Sequence, residues 1–167
     1  NPNFLQQQNS QRDAIVAALN FNIFARHAER VHGANIAQMI NVLQAMIFTD
    51  GDKMVLTPTY HAFRMYVPFQ DAVRLPISFN AGTYLVKEIN LPRLDAIAAK
   101  GKDGNIYVAI TNIDPNNTAS IELPLDGYSI ISVKGETLYT SSIDAVNTFE
   151  SPENVSPKEI DADVTGS

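Results

Sequence analysis

No cysteine and no tryptophan occur in the 167 residues. The first absence excludes disulfide staples, thiolate metal sites and cysteine nucleophiles, and leaves the redox compartment open between cytoplasmic and periplasmic or secreted. Basic charge is also scarce: 12 Lys and Arg against 18 Asp and Glu give a net charge of -6. A nucleic-acid surface needs clustered cations to displace condensed counterions. The densest basic feature, Arg26 and Arg30, has Glu29 between its members and reads as the ion-paired face of a helix, with Glu29 as partner. The chain has no run of about eighteen apolar residues, and no basic region followed by an apolar one at its start, so neither a membrane span nor a signal peptide is read. It opens on "NPNFLQQQNSQRD" without Met and is expected to have been cut from something longer or to have lost its leader.

What is present is enough apolar material, 45% of residues, for a packed core in one ordinary domain or two small ones. From Ser10 to Val31 the pattern is helical. Ile15, Leu19, Ile23 and Phe24 recur at three and four, and Ala14, Ala18, Phe21, Ala25 and Ala28 widen the apolar face. Asn9 or Ser10 caps the start, and Asp13 stands three residues after Ser10 as in a capping box. A helix apolar over so much of its circumference expects neighbours on more than one side. Val31 to Asn35 reads as a brief buried strand, after which helical periodicity resumes through Ile36, Met39, Ile40, Leu43 and Ile47. A turn follows at Asp50-Gly51-Asp52. Thr57 then caps a helix that starts with Pro58 and is ended by Pro68.

After Asp71 the grammar changes. Short segments such as "AVRLPISF", "TYLVKEI", "LDAIAAKG", "NIYVAITNI", "ASIELPL", "YSIISVKGETLY" and "SPENVSPKEI" alternate with turns at Asn80-Ala81-Gly82, Lys102-Asp103-Gly104, Asp114-Pro115-Asn116-Asn117 and Asp126-Gly127. They read as the strands of an antiparallel sandwich or open barrel, with the boundary near residues 70 to 75. Each part is awkward alone. One strand and three helices cannot cover both faces of a sheet, and the second part stops at "DADVTGS" without a convincing closing strand.

Three elements, "RDAIVAAL.FNIF.RHAERV", "ANIAQMINVLQAMI" and "TPTYHAFRMY", together resemble the C-terminal third of the α-L-arabinofuranosidases of glycoside hydrolase family 51. The agreement is good from Gln7 to about Asp71 and looser through the strands. The resemblance implies an α+β fold in which residues 1–71 supply the last elements of a (β/α)8 TIM barrel and residues 72–167 an antiparallel β-sandwich. Ser10 to Val31 would be the seventh helix, Val31 to about Asn35 the eighth strand and Thr57 to Val67 the closing helix. It implies a retaining hydrolase that removes terminal α-L-arabinofuranosyl units from arabinan, arabinoxylan or arabino-oligosaccharides. Its two glutamates, one acid and one nucleophile, would sit about 5 Å apart. It further implies a homo-oligomer, an arabinose-containing oligo- or polysaccharide and an upstream barrel portion as partners, and no cofactor, metal, nucleic acid or membrane.

No catalytic residue is assigned within the chain. The family's Asn-Glu and Asp-Glu-Trp motifs are absent, and Asp13 and Glu29, sixteen residues apart, would lie about 24 Å apart along a helix. Asp50 and Asp52 are expected to bind backbone N–H groups of their own turn, and Glu88, Asp95 and Glu122 have no companion that sequence can place. The resemblance assigns Gln38 to an arabinofuranose hydroxyl, a task suited to a neutral amide that donates and accepts without disturbing two carboxyl pKa values. Asn35 and Asn41 are the further substrate-contact candidates, with a competing role of holding irregular backbone. His27, His32 and His61 lack metal-ligand spacing; "RVHGAN" departs from the family pattern, while His61 conforms to it and reads as packing. The alternative function is a non-catalytic carbohydrate-binding or structural β-sandwich. Against it stand the absence of Trp and the placement of Tyr84, Tyr107 and Tyr128 in apolar patterns that favour the core.

Overall fold

A computed structural model describes residues 7–160, 162 and 164. Its first element, α1 (Gln11–Arg26), begins as expected. The Ser10 N–H and Oγ–H both donate to Asp13 Oδ2, at 2.8 and 3.0 Å, so a carboxylate completes the capping box. The helix stops five residues short of Val31. His27, Ala28, Glu29 and Arg30 are all exposed and form a turn, with Arg30 N and Val31 N donating to His27 O. A further helical turn there would bury nothing to offset the backbone entropy it fixes.

The next stretch departs furthest from expectation. Val31 to Asn35 makes no strand pairing among the described residues, because a strand exists only with a hydrogen-bonding neighbour. Nor is Ile36 to Ile47 helical, although its apolar spacing fits a helix. Gln38, Asn41 and Leu43 have φ of 56°, 60° and 49°, a left-handed conformation incompatible with a right-handed helix. Ile40 instead makes a parallel bridge to Ile47. The chain then enters a hairpin of β1 (Ile47–Asp50) and β2 (Lys53–Leu56), paired from Ile47↔Leu56 to Asp50↔Lys53. The two-residue turn is Gly51-Asp52, and Gly51 at φ +59° has the sign a II′ turn requires at its first central position.

Thr57 and Pro58 act as read. Thr57 Oγ accepts from Tyr60 N at 3.3 Å and donates to the buried Ala45 carbonyl at 3.1 Å, and α2 (Pro58–Tyr66) starts on proline. It runs into a 3-10 turn, Val67–Phe69, around Pro68. The two helices meet through Phe21, whose ring stands edge-on to Phe63 at 4.6 Å and lies 4.9 Å from Tyr66.

The later part is antiparallel throughout its named strands. Strands β3 (Val73–Leu75), β6 (Leu94–Lys100) and β7 (Ile106–Asn112) form a sheet in the order β3-β6-β7. Two hairpins stand beside it: β4 (Thr83–Val86) with β5 (Ile89–Pro92), and β8 (Glu136–Leu138) with β9 (Pro157–Glu159). Helix α1 packs on β6 and β7. Ala96, Ile97, Ala98 and Ala99 are consecutive and all buried, so β6 is covered on both faces. The fold is therefore α+β, with α1 packed on the β3-β6-β7 sheet and α2 packed on α1. "ASIELPL" forms no strand, and of "YSIISVKGETLY" only the end does. Ile131 is 98% exposed, so this apolar stretch has no layer to pack against within the described chain. Tyr128, expected in the core, is exposed too, with Lys100 Nζ 5.7 Å from its ring centre. Of the closing "DADVTGS", residues 161, 163 and 165–167 lie outside the described residues.

Hydrogen bonds cross the change of pattern near residue 71. Gln11 N and Arg12 N donate to Ala145 O and Ile143 O, both at 2.9 Å, and Asn147 Nδ2 donates to Leu56 O at 2.8 Å. Arg64 pairs with Glu136.

Candidate functional site

The loop from Asn35 to Thr49 carries all three expected contact residues and is built without helix or strand up to Ile47. Its order comes from a few bonds. Met46 N and Ile47 N both donate to Met39 O, at 2.9 and 3.1 Å, and Asn41 N donates to Ile47 O at 3.1 Å. Ala45 is fully buried, and its carbonyl accepts from Asn9 Nδ2 and from Thr57. Ala45 thus ties the loop to the start of both helices.

The three amides have different fates. Gln38 is exposed and its side chain makes no hydrogen bond among the described residues, so its donor and acceptor are both uncommitted. Asn35 is exposed and equally uncommitted. Asn41 is not: its Oδ1 accepts from Thr49 N at 2.7 Å, while its Nδ2 donates to Thr49 Oγ at 2.9 Å and to Thr49 O at 3.2 Å. An amide so engaged has little left for a sugar, and the competing backbone-holding role describes it. Gln44 donates to Gln7 Oε1 at 3.0 Å. Thr49 had no signal in the sequence beyond its place before a hairpin turn.

The carboxylates are placed in structural pairs. Asp13 serves the helix cap, and Glu29 lies 3.6 Å from His27 rather than against Arg26 or Arg30. Arg26 reaches Asp95 instead, with Nη1 and Nη2 donating to its two oxygens at 2.8 and 3.0 Å. That partner is 69 residues away, beyond what helix spacing can indicate. Asn22, fully buried, donates to the same carboxylate at 3.0 Å and accepts from the Tyr66 hydroxyl at 2.7 Å. Burial pushes the Tyr66 phenol up to about 12, so it stays a donor across the working pH range. The Asp50 and Asp52 carboxylates accept no hydrogen bond among the described residues, contrary to the turn-binding expectation, although Asp50 pairs with Lys53 in the hairpin. Among the described residues no three His, Asp or Glu side chains gather as a metal ion needs, and no helix is long and apolar enough to cross a membrane.

His61 is buried in α2, and its Nδ1 has no partner among the described residues. Burial lowers its pKa from the ordinary value and Arg64 lowers it further, while Glu136 and Glu153 oppose this. The unfolded chain therefore takes up a proton near pH 6.5 that the folded chain accepts only at lower pH. Stability is expected to be full above about pH 6.5 and to fall as pH drops through that value toward the folded pKa. Urea midpoints at about pH 7.5 and about pH 5.5 check this: His61→Gln should flatten the difference, and an unchanged slope in the variant would refute it.

Two pockets adjoin these elements. One of about 170 Å³ lies between Gln7–Asn9, Phe48, Val55 and the 146–150 segment; one of about 110 Å³ lies between Arg26, Arg74 and β6. Neither is lined by Gln38, which stands on open surface.

The sequence model of the alpha-L-arabinofuranosidase C-terminal domain matches residues 1–167. An intracellular exo-alpha-L-arabinofuranosidase of Bacteroides ovatus is 41% identical over 154 residues, which is 92% of this chain and 30% of that protein. An exo-alpha-(1->6)-L-arabinofuranosidase of Bifidobacterium longum is 27% identical, again over 92% of this chain and 30% of that protein. The crystal structure of a GH51 arabinofuranosidase from Xanthomonas axonopodis pv. citri superimposes with a TM-score of 0.90 at 50% identity, over 95% of this chain and 32% of that one. The chain thus spans about a third or less of the length of these relatives.

Proposed function

The chain belongs to the alpha-L-arabinofuranosidase C-terminal domain family, of the kind carried by glycoside hydrolase family 51, and from that premise we propose that it works as the C-terminal portion of a retaining arabinofuranosidase. The parent enzyme would release terminal α-L-arabinofuranosyl residues from arabinan, arabinoxylan or arabino-oligosaccharides. The observation that carries this reading is the 50% identity to the GH51 structure over 95% of the chain. In this reading residues 1–71 end a (β/α)8 barrel and residues 72–167 form the sandwich that supports it. Val31 to Asn35 is the eighth strand, whose ladder partners belong to the barrel portion. Helix α1 supports such a placement, since Val16 and Ile23 are 51% and 47% exposed on a helix already packed on its other side. Exposed Leu85, Ile89 and Ile131 offer further apolar surface for that portion and for a homo-oligomer.

The chemistry divides between the two portions. The acid and nucleophile glutamates lie in the barrel portion; this chain supplies a rim contact after the eighth strand, where barrel enzymes gather their substrate residues. Gln38 fills that role because its amide is exposed and uncommitted, and an amide can accept from one sugar hydroxyl while donating to another. Asn35 stands beside it as a secondary contact.

The test is an assay with an aryl α-L-arabinofuranoside. The 167 residues alone are expected to release no arabinose above the uncatalysed rate, and the polypeptide that includes the barrel portion is expected to release it. Turnover by the isolated chain would overturn the reading. A second reading, a carbohydrate-binding sandwich, is favoured only by exposed Tyr128 and Tyr139, at 43% and 66%. It predicts that the isolated chain binds arabinan and loses that binding with Tyr139→Ala.

A further inference from the structure

Gln38 and Leu43 hold left-handed backbone without being glycine or asparagine. Each such residue is strained and persists only where its surroundings over-determine it. The loop's determinants can be traced. Met39, the residue after Gln38, is fixed through its carbonyl by Met46 N and Ile47 N. Asn41, two residues further on, is fixed at four points: its own N–H goes to Ile47 O, and its side chain makes three bonds to Thr49. Thr49 in turn is paired with Met54 across the β1–β2 hairpin. A single threonine on a regular strand thus takes three of the four hydrogen bonds that one loop amide can make. Nothing comparable holds Gln38 itself, whose side chain is free at the surface.

We propose that Asn41 and Thr49 are positioning residues, a clamp that fixes the rim loop on the β1–β2 hairpin so that the Gln38 amide meets the sugar hydroxyl in a set orientation. The inference rests on the reading of Gln38 as a sugar contact. It assigns Asn41 a role that acts through Gln38, and it brings in Thr49. The clamp works because Asn41 both donates to and accepts from the Thr49 backbone, so the loop cannot slide along the strand without losing opposed bonds together. Thr49 Oγ adds the third bond and fixes the rotation of the Asn41 amide. An orientation error of about 1 Å at a hydrogen bond that tightens in the transition state lowers turnover more than it lowers binding.

The experiment is a double-mutant cycle in the full-length protein that carries this region, read as kcat and KM on an aryl α-L-arabinofuranoside. Asn41→Ala is expected to lower kcat about tenfold with KM changed less than about threefold, and Thr49→Val to lower kcat about threefold. Thr49→Ser, which keeps the hydroxyl, is expected to restore the wild-type rate. On a Gln38→Ala background both losses should vanish, because the amide they orient is gone. Additive losses there would overturn the clamp while leaving the reading of Gln38 intact; a Gln38→Ala variant with wild-type kinetics would overturn that reading and the clamp with it. If Asn41→Ala fails to fold, Thr49→Val carries the same cycle, since it removes one bond and leaves the two backbone bonds in place. Thr49→Val with unchanged kcat would count against the clamp.

Discussion

Asp95→Ala is expected to lower the unfolding free energy by about 3 kcal/mol. The carboxylate accepts two bonds from Arg26 and one from Asn22. Arg26 can rehydrate, because its side chain is 36% exposed, and the ion pair alone would contribute about 1 kcal/mol or less. Asn22 cannot: it is fully buried, so its Nδ2 would be left without the carboxylate it donates to, at about 1–3 kcal/mol. The effect thus comes mainly from the buried amide and only secondarily from the charge. Asp95→Asn separates the two, since it retains an acceptor for Asn22 and removes the charge; its loss should be less than half that of Asp95→Ala. Urea unfolding checks both, with Arg26→Ala as the third variant. A loss below about 0.5 kcal/mol for Asp95→Ala would show that this network does not join α1 to β6.

The second large effect concerns rate. In the full-length protein, Gln38→Ala is expected to lower kcat/KM on an aryl α-L-arabinofuranoside by about 100-fold, with most of the loss in kcat. Bonds to sugar hydroxyls strengthen as the ring approaches an oxocarbenium ion, so an amide that contacts one contributes more to the transition state than to the bound substrate. Gln38→Glu distinguishes loss of a donor from loss of packing. Its carboxylate stays close to the wild-type shape but sets a second negative charge beside that of the nucleophile glutamate, near the protonated acid. A like charge raises the pKa of a neighbouring carboxyl, so both limbs of the pH–rate profile should move to higher pH. Rates within twofold of wild type for Gln38→Ala would remove Gln38 from the site.

The helix starts were legible because capping is a local code. Ser10 with Asp13, and Thr57 with Pro58, specify their positions through atoms at most three residues apart. Strands β6 and β7 were legible for a related reason, since Lys102-Asp103-Gly104 marks the turn between them, whereas "TYLVKEI" was read as one segment and is divided by a turn at Lys87-Glu88 into β4 and the start of β5. The loop from Asn35 to Ile47 was not legible. Ile36, Met39, Ile40, Leu43 and Ile47 fit a helix by spacing, yet the Asn41 side chain satisfies the Thr49 backbone, and that local competition defeats helix periodicity. The pairing of Arg26 with Asp95 was hidden by sequence distance, and helix spacing pointed to Glu29 in its place. The strands expected at "ASIELPL" and "YSIIS" were read from composition, but a strand needs a neighbour on which to form its ladder, and the described chain offers none there. For the site, the resemblance singled out Gln38, and the structure leaves that side chain exposed and uncommitted. The commitment of Asn41 to Thr49 could be seen only in three dimensions.

The most direct measurement is a crystal structure of the full-length protein with arabinose bound, in a variant whose nucleophile glutamate has been replaced. The account predicts the Gln38 amide within about 2.7–3.2 Å of a furanose hydroxyl, with the Asn41–Thr49 bonds retained. A bound sugar whose hydroxyls are all satisfied by other residues, with the Gln38 amide turned to solvent, would contradict it.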